Sequence, residues 1–326
     1  MLKSPIIGIS CGDTNGVGTE ILIKSISRIL DLDILVVFFG SIKLLSFYDK
    51  NKEHLSRFNL ISNISDVKKN KINVFNCLDE NLKISPGKIT SFSGNAAYAS
   101  LDCATNFALD GKVDILITMP LCKSNLKQPF VGHTEYLRDR CGVSQNLMLL
   151  VSNKIKLATL TNHIPIKSIS SEISINKISN LLEILVQSLE KDFNIMCPKL
   201  AVLGLNPHTG DNGLVGKEEI DIISPAIKQK QLEGISVFGP FSADAFFAQK
   251  KYKSFDAVLS MFHDQGLIPF KMLSSNYGGV NYTAGMPIIR VSPDHGPAYD
   301  IVGKDCVNCD SFLTAVHLSV AVYNNR

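Results

Sequence analysis

Three histidines in this sequence stand in matching surroundings: Thr161-Asn162-His163-Ile164-Pro165, Leu205-Asn206-Pro207-His208-Thr209-Gly210 and Met261-Phe262-His263-Asp264-Gln265-Gly266. Imidazole nitrogen is the commonest ligand for a catalytic divalent metal, and three protein ligands with one open position is the catalytic arrangement. They lie too far apart for a local zinc finger. Each follows an apolar run and has a Pro or Gly close by, which predicts comparable loops on one sheet edge. Singly, each reads equally as a hydrogen-bonded structural histidine.

Three more clusters carry chemistry. Gly12-Asp13-Thr14-Asn15-Gly16-Val17-Gly18-Thr19-Glu20 joins a first apolar strand to a first helix. Glycines allow a close backbone approach, and a helix start offers free N–H groups to an anion. The spacing matches neither the Rossmann nor the P-loop fingerprint, so a ligand loop and a plain turn both stay open. Thr118-Met119-Pro120-Leu121-Cys122-Lys123, with Gly132-His133-Thr134-Glu135, places a lysine, a histidine and a threonine after a strong apolar strand. His133 and Thr134 could donate to a phosphate or carboxylate; alternatively Thr134 only caps a helix. Towards the C-terminus come Lys271, Gly278-Gly279-Val280-Asn281-Tyr282-Thr283, Arg290 at a predicted strand end and Asp294-His295-Gly296. Guanidinium binds phosphate bidentately, and the competing reading for Arg290 is a surface salt bridge.

Short apolar runs must position these groups. They lie at 5–10, 33–39, 113–118, 147–151, 156–160, 200–205, 235–238, 257–261 and 287–291, with helical patterns at 18–30, 95–109, 175–189, 217–229, 242–250 and 311–323. Continuous apolar strands alternating with helices predict an α/β architecture with a parallel sheet. Residues 49–71 read as a polar surface excursion and 191–198 as a connection. A length of 326 residues suits about two domains, with 45% apolar and 19% charged residues in the globular range. Net charge +3 is too small for a nucleic-acid or membrane footprint, so any anion must be held by a few placed cations. The start lacks a signal-peptide pattern, and no long apolar run is present; a soluble cytoplasmic protein is expected. Eight cysteines are scattered, and Cys306/Cys309 alone form C-x-x-C, read as reduced thiols near a helix start.

Taken in order from about Ile6 to Gly303, these motifs, together with Gly216-Lys217-Glu218-Glu219-Ile220, Gly239-Pro240…Ala243-Asp244 and Gly285-Met286-Pro287, resemble the PdxA family of 4-hydroxythreonine-4-phosphate dehydrogenases. The resemblance implies a two-domain, three-layer α/β/α fold of the isocitrate and isopropylmalate dehydrogenase type, with a mostly parallel sheet. Residues 1–120 with 286–326 would form one discontinuous domain and 121–285 the other, with the active site in the cleft. It implies NAD- or NADP-dependent oxidation of 4-phosphooxy-L-threonine at C3, then decarboxylation to 3-amino-2-oxopropyl phosphate in pyridoxine 5'-phosphate synthesis. His163, His208 and His263 would hold one divalent ion (Zn, Mg, Co or Mn), shared across a homodimer interface. His133, Thr134, Lys271, Asn281 and Arg290 would bind substrate, with Lys271 or His133 moving the proton and Asp244 orienting. Gly12, Asp13, Gly16, Gly18, Asp294 and His295 would bind the nicotinamide cofactor.

Asn15, Thr19, Pro293 and Pro297 depart from the family pattern, and the stretch at Ser274-Ser275-Asn276-Tyr277 is longer; these touch cofactor fit more than chemistry. The alternatives are a paralogue acting on D-erythronate or D-threonate 4-phosphate, and a metal-dependent phosphate-ester hydrolase or sugar-phosphate binding protein.

Overall fold

Parallel strands require a long crossover between them, and helices supply most of these crossovers here. The computed structural model describes residues 4–79, 81–126, 132–275 and 278–326. Asn276 and Tyr277 of the longer stretch lie outside the described residues. The chain divides into two compact units, residues 1–144 with 286–324 and residues 145–285 with 325–326.

The first unit runs β1 (Ile6–Ser10), α1 (Gly18–Leu30), β2 (Leu35–Gly40), α2 (Ile42–Tyr48), β3 (Phe58–Ile61), β4 (Ile72–Asn76), α3 (Ser91–Leu109), β5 (Ile115–Thr118) and α4 (His133–Arg140). It returns later in the chain with the last strand, Ile289–Pro293, and the last helix, Asp310–Asn325. The strands stand in the order β3-β4-β2-β1-β5 and then Ile289–Pro293, each neighbouring pair parallel. β1 and β5 are buried throughout, as strands covered on both faces must be. Their core joins Ile6, Val37, Phe39, Ala104, Val113, Leu116 and Leu137. Leu137 belongs to α4, so residues 121–144, expected in the second domain, fall in the first unit. Burying such an aliphatic side chain is worth about 1.5–3 kcal/mol, which is what holds α4 there.

The expected surface excursion at 49–71 contains β3 and leads into β4. Asn73 hid this pattern, because asparagine disfavours strands. Its amide nevertheless donates to the carbonyl oxygens of Val36 (2.9 Å) and Lys68 (3.0 Å), and its Oδ1 accepts from Asn59 (2.8 Å) and the Lys68 N–H (2.9 Å).

The second unit runs β6 (Leu147–Val151), β7 (Lys156–Thr159), α5 (Ile175–Lys191), β8 (Leu200–Leu203), α6 (Ser224–Leu232), β9 (Val237–Phe241), α7 (Ala243–Ala248), β10 (Ala257–Ser260), α8 (His263–Ser274) and β11 (Val280–Ala284). Completing the numbering, β12 is Ile289–Pro293 and α9 is Asp310–Asn325. The order here is β11-β6-β7-β10-β8-β9. β7, β10, β8 and β9 are parallel, whereas β6 pairs antiparallel with β7 and with β11. The sheets are thus mostly rather than wholly parallel. Residues 152–155 are too few for a crossover, and the Ser152 hydroxyl accepts from the Lys154 and Ile155 N–H groups to close a hairpin. β11 and α8 lie where the sequence suggested loops, Pro269 within α8 having masked its helical pattern.

Among the described residues, no helix is long and apolar enough to cross a membrane. All eight cysteines are free; Cys306 is exposed and Cys309 buried just before α9.

Candidate functional site

In open parallel sheets, ligands meet the carboxyl ends of strands. β7, β10 and β8 are parallel neighbours, and His163, His263 and His208 follow them in that order. The His163 and His263 rings have centroids 6.0 Å apart. Together they line a cavity of about 180 Å³ with Thr161, Asn162, Phe262 and Asp264. His263 is the first residue of α8 rather than a loop residue, and its Nδ1 lies 2.7 Å from Asp264 Oδ1. A carboxylate on one ring nitrogen fixes the tautomer that leaves the other nitrogen as a ligand.

This pair fits a shared ion. The trio does not assemble in one chain: among the described residues, no three His, Cys, Asp or Glu side chains gather into a metal site. His208 stands in a turn whose residues 208–212 all have positive φ: His208 51°, Thr209 53°, Gly210 78°, Asp211 42° and Asn212 53°. For the four non-glycine residues this costs about 1–2 kcal/mol each. Asp244, at the start of α7, is exposed and accepts from Ser242 Oγ at 2.6 Å. That hydrogen bond, the Ala245 N–H and the nearby His208 hold its carboxyl below the usual range. Asp244 therefore suits an orienting role beside His208 better than a proton-donating one.

Lys271 is exposed near the end of α8. Asn281, in β11 opposite Leu150, keeps its Oδ1 shielded from water without a hydrogen-bond partner among the described residues. Such an acceptor is costly unless a ligand satisfies it.

The first unit collects the other proposed anion ligands. Arg290 is the second residue of β12, not at its end, and is 2% exposed. Its Nε and Nη2 donate to Thr118 Oγ1 at 3.1 and 2.6 Å. Burial lowers its pKa to about 10, partly opposed by Glu135. The surface salt-bridge reading is excluded. His133 begins α4, with Gly132 as the N-cap, so Thr134 does not cap this helix.

Loss of solvation, then Arg290 and Lys123, hold the His133 imidazole well below its usual pKa. His133 is accordingly neutral at neutral pH and can accept or donate a single hydrogen bond to an anion. Lys123, Glu135 and Thr118 complete this polar group; they stand in the Thr118…Lys123 and Gly132…Glu135 motifs, which did not single them out as site residues. Because the unfolded histidine protonates near 6.5 and the folded one resists it, stability from this group is full above about 6.5 and falls with acidification. His133→Asn should flatten the decline of Tm below that pH; an identical acid profile would show His133 to be solvated.

The Gly12–Gly18 loop is bound into the interior of the first unit. Gly12, Asp13, Gly16 and Gly18 are buried. Gly12 has φ +67°, and a Cβ there would stand 2.4 Å from the Pro120 carbonyl oxygen. The N–H of Val17, the N-cap of α1, donates to Pro297 O at 2.9 Å. Asp13 Oδ2 accepts from Tyr299 (2.8 Å), Asn125 (2.9 Å) and Ser93 (3.1 Å), and Oδ1 from the Asn15 N–H (2.9 Å). Asn15 in turn holds residues 85–90 by donating to Lys88 O (2.8 Å) and accepting from the Ser85 N–H (2.7 Å). The loop thus ties internal segments together. Asp294 and His295 remain partly exposed, with His295 Nδ1 2.9 Å from Gly296 O.

Hydrogen bonds to a charged group are worth about 1.5–3 kcal/mol, so Asp13→Ala should cost about 3 kcal/mol or more in denaturant unfolding. A change below about 1 kcal/mol would contradict this internal role.

Known proteins match this chain over nearly its whole length. The family model described as "Pyridoxal phosphate biosynthetic protein PdxA" matches residues 32–319. A 4-hydroxythreonine-4-phosphate dehydrogenase from Bacteroides thetaiotaomicron is 40% identical over 98% of this chain and 89% of its own. A protein from Oceanobacillus iheyensis, provisionally named D-threonate 4-phosphate dehydrogenase, is 36% identical over 98% of each. The crystal structure of 4-hydroxythreonine-4-phosphate dehydrogenase from Klebsiella pneumoniae superposes with a TM-score of 0.83 at 32% identity, covering 98% of this chain and all of that one. With the matched segment spanning most of the sequence and both strand-end clusters, the chain belongs to the PdxA family of pyridoxal phosphate biosynthetic proteins.

Proposed function

We propose that this chain oxidises 4-phosphooxy-L-threonine at C3, with NAD or NADP as hydride acceptor. The product, 2-amino-3-oxo-4-phosphooxybutanoate, loses carbon dioxide to leave 3-amino-2-oxopropyl phosphate. The observation that carries this reading is the buried Arg290 guanidinium on Thr118 beside a neutral His133, an anion seat within a chain of this family. Arg290, His133 and Thr134 bind the substrate's anionic groups, and Lys271 and Asn281 its remaining polar groups. Asn281 Oδ1 is the acceptor for a substrate N–H or O–H. The C3 hydroxyl proton goes to Lys271 or His133 as hydride leaves the carbon, which balances the oxidation. His133, held neutral, has a lone pair to take that proton beside Arg290, whereas Lys271 would take it only as its free amine.

His163 and His263 contribute two ligands to a divalent ion, Zn, Mg, Co or Mn, which when bound lowers the cost of negative charge on the substrate oxygen. The third ligand, His208, comes from a second copy of the chain, making the working form a homodimer. Ile268 and Met272, exposed one turn apart on α8, support a covered face beside His263. The Gly12, Asp13, Gly16 and Gly18 loop with Asp294 and His295 contacts the cofactor, and the cytoplasm is the expected compartment.

The Oceanobacillus relative favours one second reading, oxidation of D-threonate 4-phosphate or D-erythronate 4-phosphate on the same residues. A panel of the three substrates, each with NAD and NADP, with metal-stripped and metal-restored protein, separates them. Reduced nicotinamide from 4-phosphooxy-L-threonine at the highest kcat/KM is the expected result. Inorganic phosphate release without nicotinamide reduction would instead indicate a hydrolase.

A further inference from the structure

A π-turn, Glu219–Ile223, leads into α6, and π-turns often mark functional positions. Its first residue, Glu219, is 2% exposed. A carboxylate so placed needs hydrogen bonds to remain ionised. Glu219 Oε1 accepts the backbone N–H groups of Leu205 (2.8 Å) and Asn206 (2.7 Å), and Oε2 accepts from Asn206 Nδ2 (2.9 Å). All of these partners lie immediately before the left-handed turn carrying His208. Within that turn, a Cβ on Gly210 would stand 2.8 Å from both Glu219 Oε2 and Gly216 O, so only glycine fits beside this carboxylate. A second arm runs outward: Asn206 Nδ2 also reaches Glu218 Oε2 (2.7 Å), and Glu218 Oε1 accepts from Ser170 Oγ (2.5 Å). Ser170 follows Ile169, which lines the cavity of His163 and His263.

Left-handed residues in series persist only where the surroundings over-determine them. Glu219 is a buried group placed to do so here, hydrogen-bonded to the chain before His208 and packed close to Gly210 after it. We propose that Glu219 is a positioning residue, holding Leu205, Asn206 and Gly210 so that the strained turn presents the His208 imidazole as a metal ligand. This rests on the reading of His208 as a ligand given above.

Glu219→Gln retains size and the Oε1 acceptor but sets an amide N–H₂ against Asn206 Nδ2. The full-length dimer of wild type, Glu219→Gln and His208→Ala is stripped of metal, and Zn²⁺ affinity is read by competition with a chromogenic chelator, far below each melting temperature. Backbone hydrogen exchange of peptides covering 205–213 is followed in the same metal-free samples. Glu219→Gln is expected to speed exchange in that segment selectively and to weaken Zn²⁺ binding about 10- to 100-fold. His208→Ala should weaken binding at least as much while leaving the Leu205 and Asn206 amides protected. Unchanged affinity in Glu219→Gln alongside a loss in His208→Ala overturns the positioning proposal alone. Unchanged affinity in His208→Ala overturns the ligand reading, and the proposal with it. Asn206→Ala, which leaves the carboxylate and both N–H bonds in place, provides a second variant and should weaken binding less than Glu219→Gln; the reverse order counts against Glu219.

Discussion

Replacing His263 by alanine is expected to lower kcat with 4-phosphooxy-L-threonine by about three orders of magnitude while leaving the thermal transition within a few degrees of wild type. His263 opens α8 directly after β10, and the Asp264 carboxylate 2.7 Å from its Nδ1 orients the ring. The side chain is not core, so its removal leaves no cavity. On the proposed reading, what is lost is a ligand to the ion. Stabilisation of developing charge by a bound metal amounts to several kcal/mol, and about 4 kcal/mol corresponds to some three decades in rate. Production of reduced nicotinamide and bound metal per chain are measured together. Full activity with full metal content would remove His263 from the ligand set. Asp264→Asn weakens orientation without removing the ligand and should fall between the two.

Arg290→Ala should raise KM for the phosphorylated substrate by about two to three orders of magnitude, and here stability falls as well. Truncating one side of a desolvated charge pair costs about 2–5 kcal/mol. Arg290 is among the largest fully buried side chains, so alanine also leaves a void and strips Thr118 Oγ1 of its donors. Arg290→Lys retains charge but cannot reproduce the planar fork, and should recover stability better than affinity. Initial-rate kinetics read against denaturant unfolding distinguish the two losses. An unchanged KM in a folded Arg290→Ala protein would make Arg290 a purely internal cation.

Much of this was legible in the residues. Short apolar runs located β1, β5, β6, β7, β8 and β10, because a strand buried on both faces must be apolar at nearly every position. The placement of His163, His208 and His263 after such runs followed directly, as did the family. Elements stabilised by buried polar contacts were not legible: β3 and β4 depend on Asn73 bridging to Val36 and Lys68, which periodicity registers as a break. α8 was concealed by Pro269 for a similar reason.

Residue types, their order and the local period are written along the chain, and they determined a mostly parallel α/β protein with four polar clusters. Which polar groups face one another depends on contacts between distant segments. Only the tertiary structure decided that Asp13 is consumed by Ser93, Asn125 and Tyr299, and that His133 is kept neutral beside Arg290. The same holds for Glu219, whose carboxylate closes on the His208 turn. Burial and pairing set the charge and freedom of each of these groups, and neither quantity exists until the chain has folded.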